Sequence, residues 1–261
     1  MNKDLTFVVL AYKELHTLEE CVESLVKQEQ KCEVIISTST PNDYIKSIAK
    51  KYNVKLKINP KRGEYEDVIF AYKQAKTPFI TLCHQDDIYL PNYSSEIIKK
   101  IKKNSDAFII FGDYYDYKNG KIIKSSLLLK IKRLMNFIFR FKIFNKSKFW
   151  KRRIVSLGNS ICSPTVAYNK ELLDKPIIVE DCKTSWDWNT WINLSNKKGR
   201  FVYINKPILY RRIHENSETS QAINNNIRRE TDYKLFCKFW PKPIAKFLSN
   251  LYSKSEKSNE I

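Results

Sequence analysis

Three features of the chain predict an α/β fold built on a mostly parallel sheet. Short strand-like runs recur at Leu5–Ala11, Glu33–Ser37, Val54–Ile58 and Phe79–Cys83. Helical patterns separate them, as where Leu18, Cys21, Val22, Leu25 and Val26 repeat with Glu19, Glu20 and Glu23 on the other face. The fourth run leads straight into two adjacent carboxylates, Asp86 and Asp87. A β-α-β-α-β-α-β order implies right-handed crossovers, with a ligand site outside the carboxyl ends of the strands.

Composition sets the bounds. A length of 261 residues suits one large α/β domain or two small ones. Hydrophobic residues make up 43%, which supports a sizeable core and excludes global disorder. With 5 glycines and 9 prolines, a fibrous or low-complexity protein is excluded too. Lys plus Arg number 47 against 28 Asp plus Glu, a net charge of +19. That excess fits an anionic partner: nucleic acid, phosphorylated ligands or an anionic membrane face. A general Lys-rich bias explains part of the excess but not its clustering. The six cysteines show no CxxC and no metal-ligand spacing, so they read as reduced thiols in a cytosolic chain. The apolar run Phe7–Tyr12 is a first strand and not a signal peptide, and no run of 18 apolar residues predicts a transmembrane helix.

Along the chain, Tyr12-Lys13-Glu14 ends the first strand. The second ends in the polar turn Thr38-Ser39-Thr40-Pro41-Asn42, and a helix follows near 43–52. A loop with Gly63 precedes a helix from about 65 to 76. Residues 96–102 read as a helix and Ala107–Phe111 as a strand, with a hairpin at Gly120. Residues 127–155 form a basic amphipathic insert, in which Leu127–Leu129, Ile131, Leu134 and the Phe137–Phe144 aromatics interleave with Lys130, Lys132, Arg133, Arg140 and Lys142. This composition suits a segment lying on an anionic leaflet; an ordinary packed helix with a Lys-rich outer face has the same pattern. It contains no nucleic-acid motif, so no nucleic-acid partner is predicted. Gly199–Ile204 reads as a strand, and residues 224–239 as a polar helix. Ile244, Phe247, Leu248 and Leu251 with Lys242, Lys246 and Lys254 make a short basic amphipathic helix, followed by a frayed tail from Ser253.

Two carboxylates side by side repel, and a divalent cation bridging to a phosphate would relieve them. The pair by itself is equally well a solvated turn. The wider pattern resembles family 2 glycosyltransferases, inverting enzymes of the GT-A fold. The opening strand ends Leu10-Ala11-Tyr12-Lys13 where the family has a Pro-x-Tyr-Asn-like turn. Cys83-His84-Gln85-Asp86-Asp87-Ile88-Tyr89-Leu90-Pro91 aligns with Leu-Asp-x-Asp-Asp-x-x-x-Pro, with His84 in place of the first Asp. Thr184–Leu194 matches the segment that carries the base before a Trp-Leu-x-Leu-like stripe, and Pro207–Ser217 matches the Tyr-Arg-x-His-like run that closes the catalytic domain. Ser37–Thr40 stands where the family has Asp-Asp-Gly-Ser, and Asp67-Val68-Ile69 where it has Ala-Arg-Asn.

The resemblance implies a GT-A domain over 1–220, with a nucleotide-binding half at 1–117 and an acceptor half at 156–220, then a helical extension at 221–261. It implies a nucleotide-diphosphate sugar donor at Ala11, Tyr12, Glu14, Thr38, Asp67, Asp86 and Arg211. A divalent cation, Mn or Mg, would lie at Asp86, Asp87 and His214. Asp187 would be the base, with Glu180 and Asp181 as runners-up; a plain helix N-cap is the alternative role for Asp187. The acceptor would be a growing, lipid-linked surface polysaccharide of capsule or cell wall. The protein would then be cytoplasmic and peripheral on the inner face of the membrane. Two rivals stand beside this reading. One is a non-catalytic binder of sugar nucleotides or anionic polymers on a degenerate transferase scaffold. The other is a nucleotidyltransferase, which would want a Gly-rich loop where Ala11-Tyr12-Lys13-Glu14 stands.

Overall fold

The computed structural model describes residues 1–173, 185–214 and 227–260. Glu180, Asp181, Thr184 and 215–217 lie outside the described residues. The chain forms two compact units: Met1–Tyr115 with Cys162–Pro176 and Gly199–Arg212, and Asp116–Ile161 with Ile177–Lys198 and Ile213–Ile261.

The first unit holds the sheet. Its strands are β1 (Leu5–Ala11), β2 (Glu33–Thr38), β3 (Lys55–Ile58), β4 (Phe79–His84), β5 (Ile88–Tyr89), β6 (Ala107–Lys118), β8 (Ala167–Asn169) and β9 (Arg200–Ile213). The order is β3-β2-β1-β4-β8-β6-β9-β5. Pairing is parallel from β3 to β4 and antiparallel at β4–β8, β6–β8 and β5–β9. Central β1 is fully buried at Leu5, Phe7, Val8 and Val9, as a strand covered on both faces must be. Edge strand β3 carries exposed Lys55 and Lys57, charges that discourage further pairing. Helices α1 (Thr17–Val26), α2 (Asp43–Lys51), α3 (Glu64–Gln74) and α4 (Tyr93–Ile101) supply the crossovers and cover. α1 buries Leu18, Cys21, Val22 and Leu25, the predicted stripe less its last member. α2 starts at Asn42, whose Oδ1 accepts the Ile45 N–H at 2.9 Å, and ends in Lys50 and Lys51, so cap and dipole agree.

Register positions the site. Ala11 is level with Thr38 of β2, and Leu10 with His84 of β4. Three parallel strands therefore end together, at the chain positions proposed for ligand binding.

The second unit is mainly helical. β7 (Lys121–Ile123) pairs with the last residues of β6 in a hairpin turning on Asn119 and Gly120, both left-handed. α5 (Leu127–Phe137), α6 (Lys142–Asn145), α7 (Lys148–Val155), α8 (Trp186–Ser195), α9 (Ile227–Phe236) and α10 (Lys242–Glu260) follow. Trp188 is fully buried; its ring meets Phe236 edge-on at 4.9 Å, and its Nε1 donates to Val155 O at 2.9 Å. Lys151 is also fully buried, its Nζ donating to Lys197 O at 2.8 Å. The outer surface is less orthodox. Leu134, Ile143 and Phe247 are 75%, 76% and 62% exposed, and Leu127, Phe149 and Leu251 also face solvent.

Three expectations shift. β6 continues past Phe111 to Lys118, α4 begins at Tyr93, and α10 runs through Glu260 where a frayed tail was expected. The described cysteines, Cys21, Cys32, Cys83, Cys162 and Cys237, are free thiols. No described helix is long and apolar enough to cross a membrane.

Candidate functional site

The turn after β1 is bound to both neighbouring strand ends. Gln85 pairs with the backbone of Tyr12: the Tyr12 N–H donates to Oε1 at 3.0 Å, and Nε2 donates to Tyr12 O at 3.0 Å. Lys13 is left-handed at φ 54, which turns its N–H onto Thr40 Oγ1 at 2.6 Å. Thr38 is buried, and its hydroxyl accepts the Thr40 N–H at 3.0 Å. Asp67 receives Ser39 Oγ at 2.7 Å and Asn59 Nδ2 at 2.8 Å. Ala11, Tyr12, Thr38 and Asp67 are thereby joined in one hydrogen-bonded rim. Tyr12 and Glu14 are exposed on it.

At the end of β4, the ligand atoms of His84, Asp86 and Asp87 lie within 4.8 Å of one another. An imidazole and two carboxylates form a donor set fit for a divalent cation. Asp87 is 2% exposed, and its Oδ1 accepts the Arg212 N–H at 2.9 Å. Arg212 Nε donates to Asp86 O at 2.8 Å, and its guanidinium pairs with Glu20. Burial pushes the Asp87 carboxyl well above the usual range, the Asp86 charge adds to this, and the Arg212 N–H and the Arg211 guanidinium oppose it. The Arg211 guanidinium lies 5.3 Å from the Tyr114 ring centroid.

Asp187 sits in the second unit, in the first turn of α8, where a negative charge complements the helix dipole. Ser185, not Asp187, holds the cap position, in a left-handed conformation. The Ser185 hydroxyl donates to buried Asp232 at 2.8 Å. Asp187 is half-buried. Its Oδ2 accepts Asn159 Nδ2 at 2.7 Å, and its Oδ1 accepts the Trp188 N–H at 2.7 Å. His214 is half-buried just past β9 and belongs to this second unit.

Sequence reasoning passed over Gln85, Asn59, Asn159 and the backbone of Arg212. Gln85 lies inside the motif at its variable position, so its place next to the acidic pair was the available signal.

A family model described as glycosyl transferase family 2 matches residues 6–175. The chain belongs to glycosyl transferase family 2. Solved structures agree on the fold. Residues 1–349 of S. aureus TarS, in complex with UDP-GlcNAc, match at TM-score 0.63 and 18% identity, covering 94% of this chain and 70% of that one. Of the longer TarS structure the chain covers 42%. The mannosyltransferase PcManGT from Pyrobaculum calidifontis, in complex with GDP-Man and Mn2+, matches at TM-score 0.60 and 14% identity, covering 95% and 69%. Glucosyl-3-phosphoglycerate synthase from Mycobacterium tuberculosis, in complex with Mn2+, UDP and phosphoglyceric acid, matches at 0.57 and 13%, covering 90% and 78%. No curated protein sequence matches the chain. As a family 2 member the protein is a glycosyltransferase, and its mixed sheet with a parallel half is the α/β architecture predicted.

Proposed function

We propose that this glycosyltransferase moves a sugar, with inversion, from a nucleotide-diphosphate sugar to an acceptor hydroxyl. The carrying observation is the common level of the β1, β2 and β4 ends, with the acidic pair following directly. The family match and the nucleotide complexes of similar folds support it. Ala11, Tyr12, Glu14, Thr38 and Asp67 form the nucleoside side of the donor site. Thr38 offers a hydroxyl where a carboxylate is usual, which favours a different nucleobase contact and not a different fold.

His84, Asp86 and Asp87 fit a divalent cation, and Asp86 is the better placed carboxylate because Asp87 is committed to Arg212. Such a cation would stabilise charge on the departing diphosphate. Arg211 and His214 are assigned to the same negative charge on the strength of their motif. Asp187 takes the proton from the acceptor hydroxyl as that oxygen bonds to the anomeric carbon. The bond from that carbon to the diphosphate oxygen breaks, and nucleoside diphosphate leaves with the electron pair. The donor and acceptor halves of the catalytic domain, and the helical extension after 220, are assigned on this reading.

Release of nucleoside diphosphate from a panel of UDP-, dTDP- and GDP-sugars, with and without Mn2+ or Mg2+, tests the reading. Metal-dependent release from one donor is expected. Nucleotide binding without release, even with acceptor extracts, would favour the degenerate binder, for which the substitution of His84 is the specific argument.

We further assign the acceptor to a lipid-linked surface glycan, reached from the cytoplasmic membrane face. Residues 117–161 contain no Asp or Glu, and their exposed apolar side chains stand among lysines and arginines. Exposed greasy groups among cations suit an anionic bilayer. The protein should co-sediment with phosphatidylglycerol vesicles at physiological salt. Leu134→Glu with Ile143→Glu should reduce that partition about tenfold or more, since each side chain contributes roughly 1.5–3 kcal/mol on burial. Equal partition of variant and parent would remove the membrane assignment.

A further inference from the structure

We propose that Asn159 is the positioning residue for Asp187. The proposal rests on the reading of Asp187 as the base. Asn159 donates through Nδ2 to Asp187 Oδ2 at 2.7 Å and is 9% exposed. Its own amide oxygen is buried and finds no hydrogen-bond partner among the described residues. A buried acceptor left unsatisfied costs about 1–3 kcal/mol. Flipping the amide would aim its oxygen at a carboxylate oxygen, and the two would repel. The orientation present places the amide N–H on the carboxylate.

The backbone on either side is fixed for this aim. Gly158 has φ +134, and a Cβ there would come 3.1 Å from the Tyr252 ring. Glycine is the residue that adopts this conformation without strain. On the other side, Asn136 Nδ2 donates to Ser160 O at 2.9 Å, and Ser160 Oγ donates to Asn136 Oδ1 at 2.8 Å. Asn159 is thus held between a left-handed glycine under an aromatic ring and a doubly bonded serine. Because its oxygen is inaccessible, it acts through Asp187 and not on the acceptor. With Asn159 on Oδ2 and the Trp188 N–H on Oδ1, the carboxylate plane is set by two donors, and a lone pair on each oxygen stays available for the acceptor's proton.

Asn159→Ala and Asn159→Ser, made in the full chain, test this. Each would be assayed for kcat, donor KM and thermal unfolding. For Asn159→Ala we expect kcat to fall about 10- to 100-fold, the scale of a misplaced catalytic group. Donor KM should stay within about twofold. Asn159→Ser keeps a short donor and should recover part of kcat. The exchange Asn159→Asp with Asp187→Asn re-forms the pair with the charge on the wrong residue; it should unfold near the parental temperature yet be inactive. If Asn159→Ala does not fold, the serine variant and the exchange carry the decision. Parental kcat in a folded Asn159→Ala variant, no recovery in Asn159→Ser, or activity in the exchange, would overturn the proposal. Activity in Asp187→Asn alone would instead remove the reading of Asp187 as base.

Discussion

The two carboxylate centres of the molecule are held in opposite ways. Asp86 and Asp87 belong to a turn fastened by backbone groups: Asp87 is buried against the Arg212 N–H, and Gln85 is locked to both polar groups of Tyr12. Asp187 is half-buried on a helix start, held by the Asn159 side chain and its own neighbour's N–H. A buried carboxylate bonded to a strand of the sheet contributes to the fold. One presented from a helix end can be altered with little structural consequence. The molecule thus ties one centre to a distant strand and the other to a buried side chain and the next residue's N–H.

Removing charge at each centre gives the largest expected effect. Asp86→Ala and Asp187→Asn should each lower kcat by about 10^3-fold, within the range for lost charge stabilisation or a lost general base. Asp187→Asn loses the charge at the helix start, so its thermal midpoint should fall slightly, and a drop as large as that of Asp87→Ala would dissolve the contrast. Asp87→Ala strands the buried Arg212 N–H, so it should lower stability by about 1–3 kcal/mol in addition to activity, measured by denaturant unfolding. Gln85→Ala frees the β1 turn without removing a charge. A donor KM raised about tenfold, with kcat nearly unchanged, is expected from steady-state kinetics.

The smallest effect concerns the second unit's buried lysine. Burial, with help from the Lys148 charge, pushes Lys151 from 10.5 down to about 8. Between those values the unfolded chain holds a proton that the folded chain has released. Stability should therefore rise with pH across that window, by on the order of 1–3 kcal/mol. Lys151→Met should abolish this rise. A parent whose unfolding midpoint is flat from pH 8 to 10 would contradict it.

Sequence pattern revealed the first centre far better than the second. β1, β2 and β4 are near-continuous apolar runs, and the acidic pair follows the last of them, so the fold and the position of the acidic turn are legible together. In β6 the apolar run stops at Gly112, yet the strand continues to Lys118. The structure uses Gly112 for close approach, since a Cβ there would lie 2.4 Å from Ile208. Gln85 and Asn159 escaped because their partners are 73 and 28 residues away. Amide side chains carry no periodic signal, and only the folded register reveals what they bond. Lys151 escaped for a related reason: one lysine among many looks solvated until its helix is packed.

The first unit is assembled from three separated stretches of chain, with β9 inserted between β6 and β5. The N–H that satisfies Asp87 belongs to a residue 125 positions later. At 5–20 residues per second of synthesis, the acidic turn waits roughly 6–25 s after translation for its last partner. During that interval β5 lacks the strand it pairs with. A chain released early can bury β1 and β4 but cannot complete the turn that carries Asp86. A product terminated before β9 therefore keeps β5 without its strand partner and the Asp87 carboxylate without the N–H that it accepts.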